Sequence, residues 1–393
     1  MSLREGGLSE LGARGATVSW KRCEIVHDGD AFFNGLEAAI NTARQSVDLE
    51  FYIFAVDQTG ERIFGALERA ADRGVSVRLM VDAIGSSALA RSSRERILAA
   101  GIQFKVFNET PWARWWREKR GPTTRRSRWK TILRRLNNRN HRKVCIIDGR
   151  TAFVGSFNVT DYHLRSQKGA SVWRDTGVIV EGGGVAALSE TFEEVWIGRL
   201  QRLRRRLRRK NGGEFPLVRL NVTRKQRRES YLDLLVRLVG AQRRIWITNA
   251  YFVPDGSLLR VLTVAAGAGV DVRILVPSFS DVIFIPWVTS AFHLGLLRAG
   301  VKVFEYRDSV LHAKTMVIDD WGVIGSSNLN HRSLLHDLEA DIVLVDSPSI
   351  ASLEERFLVD LERASQVTLD NWRHRPVIER LLGRVLLWFR YVL

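Results

Sequence analysis

The sequence predicts a duplicated α/β protein, two copies of one unit in which short apolar strands alternate with helical segments. The first observation is a set of four blocks that recur in the same order. Glu50-Phe-Tyr-Ile-Phe-Ala55 is followed by Gly74-Val-Ser-Val-Arg-Leu79, Leu98-Ala-Ala-Gly-Ile102 and His141-Arg-Lys-Val-Cys-Ile-Ile-Asp148. Later, Asn249-Ala-Tyr-Phe-Val253 is followed by Gly269-Val-Asp-Val-Arg-Ile274, Leu297-Arg-Ala-Gly-Val301 and His312-Ala-Lys-Thr-Met-Val-Ile-Asp319. The second observation is that helical patterns separate the matched strands in both copies, as a repeated supersecondary unit requires.

Each copy opens with an amphipathic helix. In the first, Phe32, Phe33, Leu36, Ile40 and Ala43 recur at helical spacing after the candidate caps Asp28 and Asp30; in the second, Tyr231, Leu234, Leu235 and Leu238 do the same. The apolar strands Val47–Phe54 and Arg244–Val253 come next. The copies meet in Arg199–Gly213, where eight basic residues without an acid run from Arg199 to Lys210 and end in the turn signal Asn211-Gly212-Gly213. The expected organisation is an N-terminal tail at 1–24, a first unit at 25–210, a second at 211–370 and an amphipathic tail at 371–393. The copies differ in one place. Gly101 and His141 are 40 residues apart but Gly300 and His312 only 12, so the first copy carries an insertion near 110–139. It contains eleven Arg or Lys and four tryptophans, Trp112, Trp115, Trp116 and Trp129.

Composition bounds the function. Hydrophobic content of 45% and charged content of 26% are those of a folded globular chain. Sixty basic against 43 acidic residues give a formal charge of +17, which points to a polyanionic partner, nucleic acid or an anionic membrane. Two cysteines, Cys23 and Cys145, supply neither a disulfide framework nor a metal-binding spacing. Residues 1–20 lack the apolar core of an export signal. The most apolar stretch, Val282–Leu297, is interrupted by Pro286, Thr289, Ser290, His293 and Gly295, and reads as a buried or membrane-touching segment rather than a spanning one.

The chemistry is carried by His141-x-Lys143 and His312-x-Lys314. In a strand, residues two apart share a face, so each His and Lys point the same way while Val144 and Ile146 face the packed side. An Asp follows each His by seven residues, Asp148 and Asp319, and each motif runs on into Gly155-Ser-Phe-Asn158 or Gly325-Ser-Ser-Asn328. This set suits phosphodiester transfer. A neutral imidazole can attack phosphorus, a second can protonate the leaving alkoxide, and the lysines with Ser156, Asn158, Ser326 and Asn328 can stabilise the non-bridging oxygens. A carboxylate on the far nitrogen would fix each tautomer, and the candidates are Asp175, 34 residues after His141, and Glu339, 27 residues after His312. Asp148 and Asp319 could instead hold loops or pair with the lysines. One His-x-Lys pair on a strand is usually a solvated edge; two full copies at matched positions outweigh that reading. His27, His163, His293, His331, His336 and His374 have no repeated partner and read as core, surface or secondary positions.

At these residues the sequence resembles the phospholipase D superfamily, whose signature is the duplicated His-x-Lys-x4-Asp motif. Within it the chain is similar to bacterial cardiolipin synthases through Asn140-His-Arg-Lys143, Ala152-Phe-Val-Gly-Ser156, Trp173-Arg-Asp-Thr176, Leu311-His-Ala-Lys314, Gly325-Ser-Ser-Asn-Leu329 and Leu338-Glu339-Ala340. The resemblance implies two α/β lobes, each a central mixed sheet flanked by helices, with one site at their pseudo-twofold interface. It implies a phosphatidyltransferase working through a phosphohistidine without metal or other cofactor. Its catalytic set would be His141, Lys143, Asp148, His312, Lys314 and Asp319, with Asp175 and Glu339 as imidazole partners and His141, by analogy, as nucleophile. Implied partners are anionic phospholipids (phosphatidylglycerol and cardiolipin), met peripherally at the cytoplasmic face of a bacterial membrane, with one chain sufficient for one site and no obligatory nucleic acid. Many such synthases begin with hydrophobic anchors; this chain resembles the shorter type without them.

The superfamily also contains hydrolases and nucleases, and interleaved Trp and Arg in the insertion suit either a headgroup layer or single-stranded nucleic acid. The tail Val377–Leu393 reads as an amphipathic helix, and Val282–Trp287 adds apolar residues ahead of the second motif. Both favour a lipid substrate, since a nuclease has no need of apolar rims. A non-enzymatic polyanion-binding module is a further alternative, opposed by the completeness of both motifs.

Overall fold

The computed structural model describes residues 19–109, 138–197 and 217–387. The expected Trp-rich insertion with Trp112, Trp115, Trp116 and Trp129, and the basic junction at 199–213, lie outside the described residues.

Two mixed sheets carry the chain. The first contains β1 (Arg22–Val26), β2 (Ser46–Phe51), β3 (Ser76–Asp82), β4 (Gln103–Phe107), β5 (Lys143–Ile147), β6 (Thr151–Gly155) and β7 (Gly177–Glu181), in the order β1-β7-β6-β5-β2-β3-β4. The second contains β8 (Val218–Leu220), β9 (Arg244–Asn249), β10 (Asp271–Pro277), β11 (Lys302–Tyr306), β12 (Lys314–Ile318), β13 (Trp321–Gly325), β14 (Ala340–Leu344) and β15 (Ala364–Val367), in the order β15-β11-β10-β9-β12-β13-β14-β8. Apart from β15 the two orders are the same. In each, three parallel strands lie on one side (β2, β3, β4 and β9, β10, β11) and the strand beginning at the motif lysine joins them antiparallel. Strand β1 begins inside the stretch expected to be an N-terminal tail, and Trp20 just before it donates its indole N–H to the Val343 carbonyl of the other sheet.

The alternation of side chains explains how each strand is buried on both faces. From β5, Val144 and Ile146 enter a core shared by the two sheets, with Val154, Val178, Ile324 and Ile342. Cys145 and Ile147 enter a separate core under the helices of the first lobe. Those helices include α1 (Gly29–Thr42) and α2 (Gln58–Asp72), capped by Asp28 and Asp57. Helix α3 (Gly184–Trp196) contributes Ala187, Leu188 and Phe192 to the shared core. In the second lobe, α4 (Arg224–Gly240) and α5 (Gly256–Gly267) cover the outer face, and α6 (Ile285–Arg298) buries Val288 and Leu296. The segment Val282–Leu297, expected to be buried or membrane-touching, therefore divides: most of it is helix α6 packed on the lobe. Helix α7 (Ser347–Glu362) adds Ile350, Leu353 and Phe357 to the shared core, and α8 (Val377–Leu386) packs against α6. No helix among the described residues is long and apolar enough to cross a membrane.

The shared core puts the C-terminal ends of β6 and β13 at the seam between lobes. Close approach there depends on the glycine of each Gly-Ser-x-Asn motif. A Cβ on Gly325 would stand 2.1 Å from Asp341 Oδ1 and 2.6 Å from the Ala340 carbonyl oxygen; on Gly155 it would stand 2.6 Å from the Thr176 carbonyl oxygen, at φ 156°. Gly325→Ala is therefore expected to lower stability by about 1–3 kcal/mol in denaturant unfolding, because the methyl meets backbone atoms of Ala340 and Asp341 as well as a carboxylate already held by Ser327. An unchanged unfolding midpoint would show that β13 and β14 can separate freely.

Candidate active site

Each motif histidine sits just before the strand that carries its lysine, where the chain leaves its own sheet and pairs with the opposite lobe. The His141 N–H donates to the Leu338 carbonyl and the Leu338 N–H to the Arg139 carbonyl. Reciprocally, the His312 N–H donates to the Arg174 carbonyl and the Arg174 N–H to that of Val310. Each of these cross-lobe bridges lies one residue before a buried carboxylate, so the carboxylates are exchanged between lobes. Glu339 presents both carboxylate oxygens 3.1 Å from His141 Nδ1, and Asp175 both oxygens 3.1 Å from His312 Nδ1. Sequence spacing counts Asp175 from His141 and Glu339 from His312; the tertiary pairing is crossed.

With Nδ1 of each imidazole held by an acceptor, the proton is fixed there and Nε2 is left for chemistry. Burial and the nearby Lys143 and Lys314 push the His141 imidazole well below its usual pKa. Burial pushes His312 down to about 4, against the opposing pull of Asp175. Both rings are therefore neutral near pH 7. The lysines lie beneath them. Lys143 Nζ donates to the His141 carbonyl and Lys314 Nζ to the His312 carbonyl. Burial lowers Lys143 to about 7 and Lys314 to about 8. Burial alone would also raise Asp175, but the imidazoles of His312 and His163 hold it well below the usual carboxylate range. Burial does raise Glu339, to about 7, against the pull of Lys143 and hydrogen bonds from Ser326 and Ser333.

Each residue expected from the sequence has a definite place. His141, Lys143, His312, Lys314, Asp175 and Glu339 converge at the seam. Asp148 and Asp319 do not. They stand at the far ends of β5 and β12 with φ of 52° and 48°. Asp148 accepts the backbone N–H groups of Arg44, Gln45 and Ser46, and Asp319 those of Gln242, Arg243 and Arg244. Of the alternatives open from sequence, these contacts are loop-holding ones. The hydroxyls expected to bind phosphate have protein partners: Ser156 donates to the Thr176 carbonyl, and Ser326 donates to Glu339 Oε2 at 2.5 Å. Asn158 Oδ1 accepts from the Ile53 N–H, whereas Asn328 Oδ1 is buried without a hydrogen-bond partner.

Two kinds of residue escaped the sequence reading. Tyr52 and Tyr251 occupy matched positions in the repeat blocks, with rings 5.0 Å from His141 and 6.4 Å from His312, and Lys143 and Lys314 lie over their faces. Burial raises both phenols, Tyr52 to about 12, so they stay protonated as donors. The aligned Tyr in the two blocks was the available signal. The second is His163. The Asn158 N–H donates to His163 Nε2, leaving Nδ1 as the protonated nitrogen, 2.8 Å from Asp175 Oδ2. In the other lobe the Asn328 N–H donates to Ser333 Oγ, which donates to Glu339 Oε1. His163 and Ser333 each stand five residues after the motif Asn and link it to the carboxylate that faces a motif histidine. Because one is His and the other Ser, no identity match linked them. His163, Asp175 and His312 offer ligand atoms within 4.8 Å of one another, a spacing a cation could span. The nitrogens that face Asp175 are already committed to it, so this cluster fits an imidazole-orienting network better than a metal centre.

The sequence matches the family described as "Cardiolipin synthase, PLD-like domain" over residues 36–196 and 234–361. It is 31% identical to a cardiolipin synthase of Clostridium perfringens over 91% of this chain and 74% of that one. It is 32% identical to cardiolipin synthase 2 of Bacillus anthracis, over 91% and 70%. Among solved structures, phosphatidylserine synthase of Haemophilus influenzae superposes with a TM-score of 0.67 at 13% identity, covering 94% of this chain and 95% of that one. Polyphosphate kinase of Porphyromonas gingivalis superposes at 0.56 with 15% identity, over 91% and 56%. At those identities the structural matches establish the fold alone: two mixed sheets flanked by helices.

Two expectations follow from the site. The lysines bind an anion only when protonated, and they titrate at about 7 and about 8, so kcat/KM should fall on the alkaline side as pH rises through that range. A profile flat from pH 6 to 9 (roughly the span of both lysine titrations) would contradict this. His163→Ala should lower kcat by about 10–100-fold with KM little changed, and change the pH profile of kcat, as loss of an outer partner to a catalytic carboxylate does. A drop in melting temperature with an unaltered profile would reduce His163 to a packing residue.

Proposed function

The chain belongs to the cardiolipin synthase family of phospholipase D-like proteins and is a phosphatidyltransferase; on that premise we propose that it joins a phosphatidyl group to the glycerol hydroxyl of phosphatidylglycerol through a phosphohistidine, at a membrane surface. The observation that carries this reading is the crossed pair of imidazoles. Each is fixed at Nδ1 by the other lobe's carboxylate, and the two flank the two buried lysines.

In the first half-reaction Nε2 of His141 attacks phosphorus. As the anionic phosphodiester enters, the neutral His312 ring takes up a proton from solvent at Nε2; the bond from phosphorus to the headgroup oxygen of the donor lipid then breaks and that proton passes to the oxygen. In the second, the acceptor's glycerol hydroxyl gives its proton back to His312 as its oxygen attacks phosphorus and the P–N bond breaks. Donor and acceptor together yield cardiolipin and the free headgroup alcohol, which is glycerol when the donor is phosphatidylglycerol. Lys143 and Lys314 balance the charge on the non-bridging oxygens, so the step has no requirement for a bound cation. The division of labour rests on the inequivalent carboxylates. His312 faces Asp175, which two imidazoles hold ionised, whereas His141 faces Glu339, whose charge burial disfavours. His312 is therefore the ring whose partner favours taking up a proton, and His141 is the ring left free to attack. Water in place of the lipid hydroxyl would give phosphatidic acid, so an apolar, membrane-seated mouth favours transfer.

The test is incubation of purified protein with vesicles of labelled phosphatidylglycerol beside a single-stranded DNA assay. Cardiolipin is the expected product. Phosphatidic acid alone would make the protein a hydrolase, and cut DNA with untouched lipid a nuclease. His141→Ala and His312→Ala should each lower turnover by about 10³-fold or more. Quench of the wild type in neutral detergent, which spares the acid-labile P–N bond, should leave phosphatidyl label on His141. Label on His312 would reverse the assignment, and full activity in either variant would reject the paired mechanism.

A further inference from the structure

Helix α8 is mounted the wrong way round for a docking helix. Its apolar stripe Ile378, Leu381, Leu382 and Val385 follows the i, i+3, i+4, i+7 spacing of one helix face. A helix that serves only to pack on its own protein turns such a face inward. Here all four are exposed, Ile378 by 67% and Leu381 by 59%. The inward side is the small or charged one. Gly383 lies against α6, where a Cβ would stand 2.3 Å from the Trp287 carbonyl oxygen, and the Arg380 guanidinium covers the Trp372 ring at 5.1 Å.

Through Gly383, α8 is anchored on the turn of α6 that borders the catalytic site. Trp287 belongs to the first turn of α6, and the loop entering that turn exposes Phe279 and Ile283, the latter by 76%. Between them Asp281 accepts a hydrogen bond from the Tyr251 hydroxyl at 2.7 Å, and the Tyr251 ring lies 6.4 Å from that of His312. Charge selects the occupant. From Asn371 to Leu387 the chain carries four arginines and a single acid, Glu379; Arg384 is exposed on α8 next to the stripe, and Arg373 is exposed just before the helix. Apolar side chains flanked by arginines suit an anionic lipid surface, which takes the former below its headgroups and pairs with the latter.

We propose that Phe279 and Ile283 of the loop before α6, with Ile378, Leu381, Leu382 and Val385 of α8, form the face that docks this protein on anionic lipid, seating the membrane beside the His312 side of the catalytic mouth. The proposal rests on the lipid reading of the site, deepens it, and assigns the membrane contact to residues separate from the Trp-rich insertion. It places the substrate headgroup within reach without a spanning helix.

The test compares the full chain with the triple variant Ile378→Glu/Leu381→Glu/Val385→Glu and, separately, Ile283→Glu. All four positions are exposed, so folding should survive, and matching melting curves check this. Co-sedimentation uses vesicles of phosphatidylglycerol mixed with phosphatidylcholine. The triple variant should lose partitioning by about tenfold or more and Ile283→Glu by a smaller factor, and high salt should weaken wild-type binding in part. Turnover of short-chain phosphatidylglycerol below its micelle threshold should stay within about twofold of wild type, since these residues only seat the enzyme on the bilayer. Wild-type partitioning in the triple variant overturns the proposal. So does a wild-type dimer that the substitutions split with vesicle binding intact, which would make the face a contact between copies. Wild-type protein that binds vesicles through this face yet yields no cardiolipin would instead defeat the functional reading and leave the docking face standing.

Discussion

Neither motif imidazole is oriented by its own lobe, and the rest of the molecule is arranged around that constraint. His141 leans on Glu339 and His312 on Asp175, so each half of the duplication is chemically incomplete until the other is docked against it. The exchange is made by backbone. Short parallel bridges, Asn140 with Leu338 and Arg174 with Leu311, carry each carboxylate across the seam next to the foreign histidine. These bridges need the lobes in a fixed register, and the core built from inner faces of both sheets supplies it. A duplicated chain gains from this arrangement, because two lobes in one polypeptide meet at high effective concentration.

Burying this much charge is costly, and the surroundings show how it is managed. Arg139 and Arg142 are almost wholly inaccessible, paired with Asp82 and Glu50. The Asp337 carboxyl is pushed up to about 7 and Asp341 to about 6 by burial. Removing one member of such a network strands its partner in a medium of low polarity, which is far worse than never having buried either. The same low polarity is useful at the reaction centre. It keeps both imidazoles neutral, and it strengthens the attraction of the two lysines for an anion.

The pseudo-symmetry is broken at one decisive place. His163 supports Asp175 where Ser333 supports Glu339, and Asp is one methylene shorter than Glu. The wider reach of His163 compensates for the shorter acid and also adds an ionisable ring beside it. A geometric twofold thereby becomes an electrostatic difference, and the two histidines become suited to unequal tasks. The exposed apolar side chains are asymmetric as well: the stripe of α8 and the loop before α6 belong to the second lobe.

Much of this was legible in the sequence because repetition needs no coordinates. Four ordered blocks give two copies of one α/β unit, and matched His-x-Lys pairs mark where each copy does chemistry. Strand periodicity puts His and Lys on one face, and the family resemblance selects Asp175 and Glu339 from 43 acids. What linear order could not supply was partnership. Spacing along the chain ties Asp175 to His141, whereas the fold ties it to His312, because the choice is made by docking of two lobes and not by any local preference. The same limit hid His163, whose counterpart is a serine, and left the motif acids Asp148 and Asp319 ambiguous until their carboxylates were seen receiving three backbone N–H groups each. Helix α8 makes the point from the outside. Its amphipathic spacing was plain in the sequence, but an apolar stripe reads the same whether it faces a core or a solvent, and only tertiary packing, with Gly383 turned to α6, decided that it faces out.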